Sequence, residues 1–384
     1  MIPYGRQQIS AEDMEAVRAV LGSDFLTQGP AVPAFERAVA DYVGAPHAVA
    51  VNSATSALHV ACLALDLGPG DLAWTSPNSF LASANCARYC GAEVDFVDID
   101  PHDLNLSVPA LRRKLEEAAA RGRLPKVLIP VDFAGRSADL QAMRELADRY
   151  GFAIVEDASH AIGATYRGHK VGGHGWADIT VFSFHPVKII TSGEGGMALT
   201  HRPELARRME LARSHGMTRD PSQMGGTPHG SWYYEQVALG WNYRMTDLQG
   251  ALGTSQLGRI EAFLARRQAI RARYDRGLAQ LPLWLPAPDR DGRSALHLYP
   301  IQLAPEAGRE RRTVFDELRA GGIGVNVHYI PIHTQPYYRA LGFRDGDFPA
   351  AEAYYARAIT LPLHAGMTDA DTDAVIAAVQ AALA

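Results

Sequence analysis

Short apolar runs alternate with segments of helical periodicity along the first two thirds of the chain. Six of these runs are predicted strands: His47–Asn52, Leu72–Thr75, Glu93–Asp98, Val127–Val131, Ala153–Glu156 and Asp178–Phe184. Four of the intervening segments are predicted helices: Ala54–Leu67, Ser79–Cys90, Val108–Arg121 and Ser137–Tyr150. This alternation is typical of βαβ units. Because the runs carry little polar alternation, they favour a largely parallel sheet that is covered on both faces.

The pattern changes after about Asp247. One long helix is predicted from Leu248 to roughly Leu281, and a proline-rich loop follows it. The later predicted elements are a strand, a helix, a strand and a helix: Leu296–Leu303, Arg309–Ala320, Val325–Tyr329 and Asp369–Leu383. We therefore predict a large α/β domain over residues 1–247, N-terminal arm included, and a smaller α+β domain over residues 248–384. The segment Thr218–Gly230 is rich in glycine, proline, serine and methionine, and is predicted to form a mobile surface loop.

Composition and charge narrow the class of protein. With 384 residues, 47% of them hydrophobic, the chain can bury a sizeable core. A net charge of −5 disfavours nucleic-acid binding. No apolar run reaches about 18 residues, so no transmembrane helix is expected. The first ten residues lack the layout of a signal peptide, and we therefore expect a cytoplasmic protein.

Cysteine usage agrees with that expectation. The chain has three cysteines, Cys62, Cys86 and Cys90, and such a sparse, odd set favours a reducing compartment without a disulfide framework. Cys86 and Cys90 are four residues apart, but no nearby histidine or further cysteine completes a set of metal ligands. We interpret them as small buried residues and predict no metal site.

Two polar segments follow predicted strands, at the sheet edge where parallel α/β proteins bind ligands. After the first strand, Ser53–Ser56 opens a helix whose free N–H groups and hydroxyls suit a phosphate, while the same hydroxyls also suit helix capping. After the strand Ala153–Glu156 comes Asp157. A buried carboxylate there is either a structural cap or ion pair, or the partner of a ligand cation such as a protonated pyridine nitrogen.

A lysine follows the next predicted strand. Lys188 lies among apolar residues and before a glycine-rich turn. Partial desolvation lowers a lysine pKa from about 10.4 and frees the amine to form Schiff bases with aldehydes or ketones. A phosphate cradle, a strand-end aspartate and such a lysine, in this order, match the requirements of pyridoxal 5′-phosphate. Phe80 either stacks on the pyridine ring or belongs to the core. No GxGxxG motif follows the first strand, which disfavours a dinucleotide-binding domain.

Segments spread over nearly the whole chain resemble the sugar-nucleotide aminotransferases of the DegT/DnrJ/EryC1/StrS family. The most diagnostic are VFSFHPVKIITSGEGG, which contains Lys188, and GWNYRMTDLQGALG, which contains Asn242. The resemblance implies the PLP-dependent transferase fold type I of aspartate aminotransferase, with a mostly parallel seven-stranded sheet in the large domain. Within the family, IPYGRQ, NSATSALH, SFHPVKIIT and VHYIPIHTQPYY look most like the pseudaminic acid branch. Enzymes of that branch use glutamate to aminate C4 of a UDP-linked 4-keto-6-deoxy-N-acetyl sugar.

The resemblance also implies roles for individual residues. Lys188 would bond covalently to the cofactor, which alternates between the pyridoxal and pyridoxamine forms, and would carry the proton during transfer. Asp157 would pair with the pyridine nitrogen, and Phe80 would stack on the ring. The other cofactor contacts of the same subunit would be His160, near the ring substituents, and the phosphate-binding residues Ala54, Thr55 and Ser183.

Two further sets of residues follow from the resemblance. Asn242 would reach the phosphate of the neighbouring subunit's cofactor, which makes the protein an obligatory homodimer with a shared active site. Several residues match segments that contact the nucleotide sugar: Tyr4, Asp24, Phe25, Leu26, Thr27, His328, Tyr329, Ile330 and Pro331.

Three alternatives stay open at this point. The chain can be a transaminase of another branch, such as one that makes perosamine or 4-amino-4-deoxyarabinose. Sugar dehydratases of the family carry histidine in place of the lysine, so Lys188 disfavours dehydration. A non-catalytic, cofactor-binding relative would be marked by loss of Lys188, Asp157 or Ser183, and all three are present.

Overall fold

A seven-stranded sheet forms the centre of the molecule in the computed structural model, which describes residues 1–384. The strands of the chain are β1 (His47–Val51), β2 (Leu72–Thr75), β3 (Glu93–Phe96), β4 (Val127–Ile129), β5 (Ala153–Asp157), β6 (Thr165–Tyr166), β7 (His169–Lys170), β8 (Ile179–Ser183), β9 (Gly196–Thr200), β10 (Met217–Thr218), β11 (Glu235–Gln236), β12 (Leu283–Trp284), β13 (Gly292–Arg293), β14 (Tyr299–Leu303) and β15 (Ala358–Leu361). The central sheet has the order β1-β9-β8-β5-β4-β2-β3. Six of its strands run in one direction, and β9 is antiparallel to both β1 and β8. The predicted α/β class with a mostly parallel sheet is confirmed.

Helices cover both faces of this sheet. The helices of the chain are α1 (Ala11–Leu21), α2 (Ala31–Val43), α3 (Ala54–Ala64), α4 (Ala82–Tyr89), α5 (Val108–Ala120), α6 (Leu140–Tyr150), α7 (Pro203–Arg213), α8 (Asp247–Leu257), α9 (Ile260–Leu278), α10 (Arg311–Ala320), α11 (Pro336–Arg339), α12 (Pro349–Arg357) and α13 (Asp369–Leu383). One face packs against α3, α4 and α7, and the other against α2, α5 and α6. In β1, Val49 and Val51 enter the first layer and Ala50 the second. Burial on both sides explains why these strands read as continuous apolar runs.

The C-terminal part builds a second apolar core. Strands β12, β14 and β15 form an antiparallel sheet, and α10, α13 and the second half of α9 pack against it. Helix α8 and the start of α9 instead join the core around α2, through Leu257 and Phe263. Helix α9 therefore connects the two cores.

The long helix predicted from Leu248 to Leu281 is wrong, because the structure has two helices there, α8 and α9. Gly258 follows α8, and Arg259 adopts φ −109° and ψ 5°, which departs from helical geometry. The break leaves Ile260, the first residue of α9, buried in the core around α2. Apolar periodicity continues across the break, so the pattern alone does not reveal it.

Two predicted strands of the C-terminal part also differ from the structure. The strand predicted at Leu296–Leu303 is shortened to β14, because Leu296 has a φ of 54°, in the left-handed region that a strand does not use. The strand predicted at Val325–Tyr329 is wrong. This segment makes a single bridge, between Asn326 and Thr360, and then leaves the sheet edge towards the large sheet.

Other predictions about the C-terminal half have mixed outcomes. The helix Asp369–Leu383 is confirmed as α13. The segment Thr218–Gly230 is largely exposed, but it includes the end of β10 and a short 3-10 turn at Pro221–Gln223. Its mobility stays a prediction. None of the helices combines the length and apolar character needed to cross a membrane.

Candidate active site

A cavity of ≈ 960 Å³ opens at the carboxyl ends of β1, β5 and β8. This is the edge at which parallel α/β sheets place their ligands. Ten of the predicted site residues line it: Tyr4, Ala54, Thr55, Phe80, Asp157, His160, Ser183, Lys188, His328 and Tyr329. The structure thus brings together residues that lie as far apart in the sequence as the N-terminal arm and residue 329.

The first wall of the cavity is the N-terminus of α3. Ser53 caps this helix, because its Oγ accepts the N–H of Ser56 at 3.1 Å, and Ser56 in turn donates to Asn52. Ser53 therefore serves the capping role, and the next two residues, Ala54 and Thr55, also line the cavity. Their N–H groups have no acceptor within the chain and carry the positive end of the helix dipole, so they suit a phosphate.

A glycine makes this cradle sterically possible. Gly196, the first residue of β9, lies so close to α3 that a Cβ on it would be 2.5 Å from the backbone of Ser53 and Ala54. Gly196 also pairs with Ser183, the last residue of β8. The close approach of the glycine therefore brings Ser183 next to the helix N-terminus, and its phosphate-binding role stays a prediction.

The second wall contains the carboxylate of Asp157, at the end of β5. The residue is 4% exposed, and no arginine or lysine forms a salt bridge with it. Instead, the Ser83 hydroxyl donates to Oδ2 at 2.6 Å, and Ser159 donates to Oδ1 through its N–H at 3.2 Å and its hydroxyl at 2.5 Å. A buried carboxylate held by neutral donors and facing a cavity is suited to a ligand cation.

Lys188 lies beside these two walls, after the end of β8. Its buried surroundings disfavour the ammonium form and lower its pKa to about 8, although the charge of Asp157 acts in the opposite direction. At pH 7 about one tenth of the amine is then neutral, compared with less than about one thousandth at an ordinary lysine pKa. The predicted desolvation of this lysine thus has a physical basis in the structure.

Three imidazoles surround this part of the cavity. The Nε2 atom of His160 lies 3.1 Å from the Tyr329 hydroxyl, and the ring centre of His160 is 4.4 Å from that of His297. His328 contacts the Thr360 hydroxyl through Nδ1 at 2.9 Å. Burial, with added repulsion from nearby cationic groups, lowers the pKa of His160 and His297 well below the usual value and that of His328 to about 4. All three rings are therefore neutral at physiological pH.

Aromatic residues line a further part of the cavity. Phe80 is 58% exposed and presents its ring to the cavity, with its centre 6.5 Å from that of Tyr329. Tyr4 stands on the same side, 5.3 Å from the ring of His328. Phe80 therefore does not belong to the core, and its ring offers an apolar face on which a flat ring can stack. Its stacking role stays a prediction.

Seven predicted residues do not line the cavity of their own chain: Asp24, Phe25, Leu26, Thr27, Asn242, Ile330 and Pro331. The first four form an exposed connection between α1 and α2. Asn242 is also exposed, between Trp241 and Tyr243, whose rings stack 6.1 Å apart. The roles of all seven stay predictions.

Sequence reasoning missed several residues of the site. Ser83 and His297 lay inside a predicted helix and a predicted strand, and nothing in those patterns distinguished them. Ser159 follows Asp157 by two residues. An aspartate side chain often accepts the N–H of the residue two positions later, as it does here, so the sequence held a local signal for Ser159. Gln249 and Asn326 also line the cavity and were not selected.

The donor set fits pyridoxal phosphate. Free N–H groups at a helix start suit its phosphate, the salt-bridge-free carboxylate of Asp157 suits its ring nitrogen, and the depressed pKa of Lys188 suits its aldehyde. The exposed ring of Phe80 supplies a stacking surface. The three walls lie around one cavity, so a single ligand can use all of them.

Comparisons with known proteins agree with this fit. A family model described as the DegT/DnrJ/EryC1/StrS aminotransferase family matches residues 7–380. The spore coat polysaccharide biosynthesis protein SpsC of Bacillus subtilis is 41% identical over 99% of this chain and 96% of its own. The UDP-4-amino-4,6-dideoxy-N-acetyl-beta-L-altrosamine transaminase of Campylobacter jejuni is 36% identical over 96% of this chain and 93% of its own.

Solved structures give the same result. Helicobacter pylori PseC, an aminotransferase involved in the biosynthesis of pseudoaminic acid, superimposes with a TM-score of 0.90 at 32% identity, over 100% of this chain and 99% of its own. A putative sugar aminotransferase from Streptococcus pneumoniae in its PMP form gives a TM-score of 0.90 at 30% identity, over 100% of this chain and 99% of its own. The same pneumococcal protein has also been solved in a PLP form.

Proposed function

We propose that this chain, which belongs to the DegT/DnrJ/EryC1/StrS aminotransferase family, transfers the amino group of L-glutamate to C4 of a UDP-linked 4-keto-6-deoxy-N-acetylhexose. The product is then UDP-4-amino-4,6-dideoxy-N-acetyl-β-L-altrosamine, of the pseudaminic acid pathway. At the coarser level the chain is a pyridoxal-phosphate-dependent sugar aminotransferase. The observation that carries the proposal is one cavity in which Lys188, Asp157 and the start of α3 meet.

The chemistry divides between the cofactor and the chain. When bound, pyridoxal phosphate supplies an aldehyde that takes up the donor's amino group and a ring that withdraws electrons. Lys188 holds the cofactor covalently and then moves a proton on Nζ to and from the reacting carbon, for which a pKa of about 8 is suitable. Asp157 holds the proton on the ring nitrogen, because hydrogen bonds from Ser83 and Ser159 stabilise its anionic form.

The sugar is proposed to occupy the side of the cavity formed by Tyr4, Asn326, His328 and Tyr329. These residues offer hydroxyl, amide and imidazole groups to sugar oxygens, and aromatic faces to the sugar ring. These four residues lie on one side of the cavity, next to Lys188, and this position supports the placement of the sugar there. The segment Asp24–Thr27, with Ile330 and Pro331, is proposed to contact the nucleotide sugar, as the resemblance implies.

Assembly and domain layout belong to the same proposal. The chain is proposed to form a homodimer in which Asn242, exposed on its own subunit, reaches the cofactor phosphate of the partner. Fold type I is proposed as well, with a large domain over residues 1–247 and a small one over residues 248–384. The separate C-terminal core supports this division, although α8 packs with the large domain's α2.

A second candidate is an aminotransferase for another nucleotide sugar, of the perosamine or 4-amino-4-deoxyarabinose type. The identity of 41% to the spore coat polysaccharide protein, above the 36% to the altrosamine transaminase, favours keeping it. Both candidates need the same cofactor residues. They differ in the sugar that fits beside Lys188.

The deciding experiment offers the purified protein glutamate and a panel of UDP- and dTDP-linked 4-keto-6-deoxy sugars. Mass spectrometry and NMR then identify the product, with Lys188→Ala as the inactive control. We expect the UDP-linked N-acetylated 4-keto sugar to react fastest and to gain an amine at C4. Preference for a dTDP sugar, or for a sugar without the N-acetyl group, would establish the second candidate instead.

A further inference from the structure

The connection between α1 and α2 contains the segment Asp24–Thr27, which is proposed to contact the nucleotide sugar. All four residues are exposed, Phe25 at 53% and Leu26 at 48%, so their side chains are free to meet a ligand. Ordering a loose loop costs conformational entropy, and this cost reduces the affinity for a ligand. A segment that the rest of the chain already holds in place avoids most of that loss.

A buried carboxylate holds the end of this connection. Asp247, the first residue of α8, is 1% exposed, and its side chain accepts hydrogen bonds from three backbone N–H groups. Gly29 donates to Oδ2 at 2.6 Å, and Ala31 and Val32 donate to Oδ1 at 2.8 and 3.1 Å. Pro30, the N-cap residue of α2, makes no side-chain cap bond. Helix α2 therefore takes its cap from Asp247, where the dipoles of α2 and α8 both favour an anion.

Backbone contacts at the same place hold the segment itself. The N–H of Asp247 donates to the carbonyl oxygen of Leu26 at 2.9 Å, and Thr27 forms an antiparallel bridge with Thr246. Asp247 therefore holds the chain on both sides of the turn at Gln28, through its backbone before the turn and through its carboxylate after it.

The turn between these two attachments is tight. Gln28 adopts a φ of 58°, in the left-handed region. A Cβ on Gly29 would lie 2.5 Å from the Cβ of Phe25 and 3.1 Å from Oδ2 of Asp247. The absence of a side chain at Gly29 thus lets Phe25 and the carboxylate pack against the same point of the backbone.

The start of α8 also belongs to the rim of the cavity. The Thr246 hydroxyl accepts the N–H of Gln249 at 3.3 Å, and Oε1 of Gln249 accepts the N–H of Thr246 at 2.8 Å. Nε2 of Gln249 donates to the carbonyl oxygen of Glu194 at 2.8 Å. Gln249 and Glu194 both line the cavity. A continuous series of contacts therefore connects the cavity wall to the segment Asp24–Thr27.

We propose that Asp247 is a positioning residue for nucleotide binding, which holds Asp24–Thr27 at the rim of the cavity in the arrangement that meets the ligand. The inference rests on the proposed function, because it takes a nucleotide sugar as the ligand of this segment. Asp247 itself is not part of the cavity wall. Loss of its carboxylate should therefore weaken nucleotide binding and leave the reaction with glutamate intact, a split that a purely structural cap does not produce.

The experiment measures the affinity of the purified holo-protein for UDP, the nucleotide part of the proposed substrate, by titration calorimetry. Asp247→Asn keeps the size of the side chain but replaces one acceptor oxygen with a donor, which faces a backbone N–H. We expect the Kd for UDP to rise at least about tenfold, as the loss of one hydrogen bond to a charged group implies. Conversion of the bound pyridoxal form by glutamate, followed by absorbance, should keep the wild-type rate.

Two further variants make the test specific. Gly29→Ala disturbs the same segment from the surface, so it decides the question if Asp247→Asn does not fold. Its added Cβ displaces Phe25, and UDP should again bind more weakly. Asp139→Asn is the matched control, because this carboxylate caps a different helix, α6, through the N–H of Ala142 at 3.3 Å. It should lower the melting temperature without changing the affinity for UDP.

Two results would overturn the inference alone: wild-type affinity for UDP in both Asp247→Asn and Gly29→Ala, or an equal loss of affinity in Asp139→Asn. A wild-type protein that reacts with glutamate but does not bind UDP would contradict the UDP-linked substrate of the proposed function, and the inference with it. A wild-type protein that does not react with glutamate would contradict the aminotransferase reaction itself.

Discussion

Ser83→Ala tests how the protein holds the carboxylate of Asp157 in place for the cofactor. The Ser83 hydroxyl donates to Oδ2 of Asp157 at 2.6 Å, and both residues are buried. A hydrogen bond to a charged group of this kind contributes about 1.5–3 kcal/mol. The variant removes that stabilisation from the anion, whereas Ser159 still donates to the other oxygen and keeps the side chain in place.

The loss translates into a weaker hold on the cofactor ring. The Asp157 carboxylate is proposed to pair with the ring nitrogen of the cofactor, and the Ser83 hydroxyl stabilises the carboxylate for that contact. Because about 1.4 kcal/mol corresponds to a tenfold change in an equilibrium constant, losing this hydrogen bond disfavours the paired arrangement by about 10- to 100-fold. We expect kcat to fall by about tenfold or more, with a much smaller change in KM for glutamate.

The assay measures kcat and KM for glutamate in three variants. Ser83→Thr keeps a hydroxyl and should restore most of the rate. Ser79→Ala is the matched control, because the Ser79 hydroxyl contacts Ser83 at 2.7 Å and not the carboxylate. The reasoning is refuted if Ser83→Ala keeps more than about half of the wild-type kcat, or if Ser83→Thr is as slow as Ser83→Ala.

Three other predictions concern the cofactor and its lysine. Borohydride reduction of the holo-protein should fix the cofactor to the peptide that contains Lys188, and attachment at Lys126 or Lys170 would contradict the assignment. Since the pKa of Lys188 is about 8 and the protonated amine does not react, uptake of pyridoxal phosphate by the apo-protein should accelerate as pH rises and level off above about pH 8. A midpoint near the ordinary lysine value would show that the amine is not desolvated. Mixing inactive Lys188→Ala with inactive Asn242→Asp should restore about one quarter of the activity through hybrid dimers that keep one intact site. Hybrids confirmed by native mass spectrometry but inactive would show that the site is not shared.

Six strands of the central sheet could be predicted because they are buried on both faces and therefore stand out as apolar runs, whereas β9, which is equally buried, was not predicted. The pattern of apolar residues does not reveal backbone conformations that depend on contacts between distant parts of the chain. The break at Arg259 occurs inside an unbroken apolar period, and Leu296 adopts a left-handed conformation that its type does not favour. The segment Val325–Tyr329 has the composition of a strand, but hydrogen bonds to side chains elsewhere hold it away from the sheet edge. One of them is donated by the Tyr329 N–H to Oδ1 of Asn78 at 3.3 Å.

Site residues could be predicted where a residue with distinctive chemistry stands at or after the end of a predicted strand. Lys188, Asp157 and Ser183 each follow or end a strand of the large sheet, so topology alone brings them to one edge. Ser83 acts on Asp157 from 74 residues earlier in the chain, and a serine in a small-residue helix has no distinctive pattern. His297 enters from the C-terminal part, within the predicted strand Leu296–Leu303, where nothing in the pattern distinguished this histidine.

Side chains from both halves of the chain surround Lys188. Burial lowers the pKa of its amine, and Asp157 opposes that effect. His160 comes from the large sheet, whereas His297 and His328 come from the C-terminal part, and burial keeps all three neutral. Neutral rings exclude water and offer hydrogen-bond partners without adding a charge that would push the pKa of the amine away from the range useful for proton transfer. A lysine with a pKa near 8 therefore depends on side chains from both halves of the chain, and the segment that leaves the small sheet at Asn326 is what supplies His328.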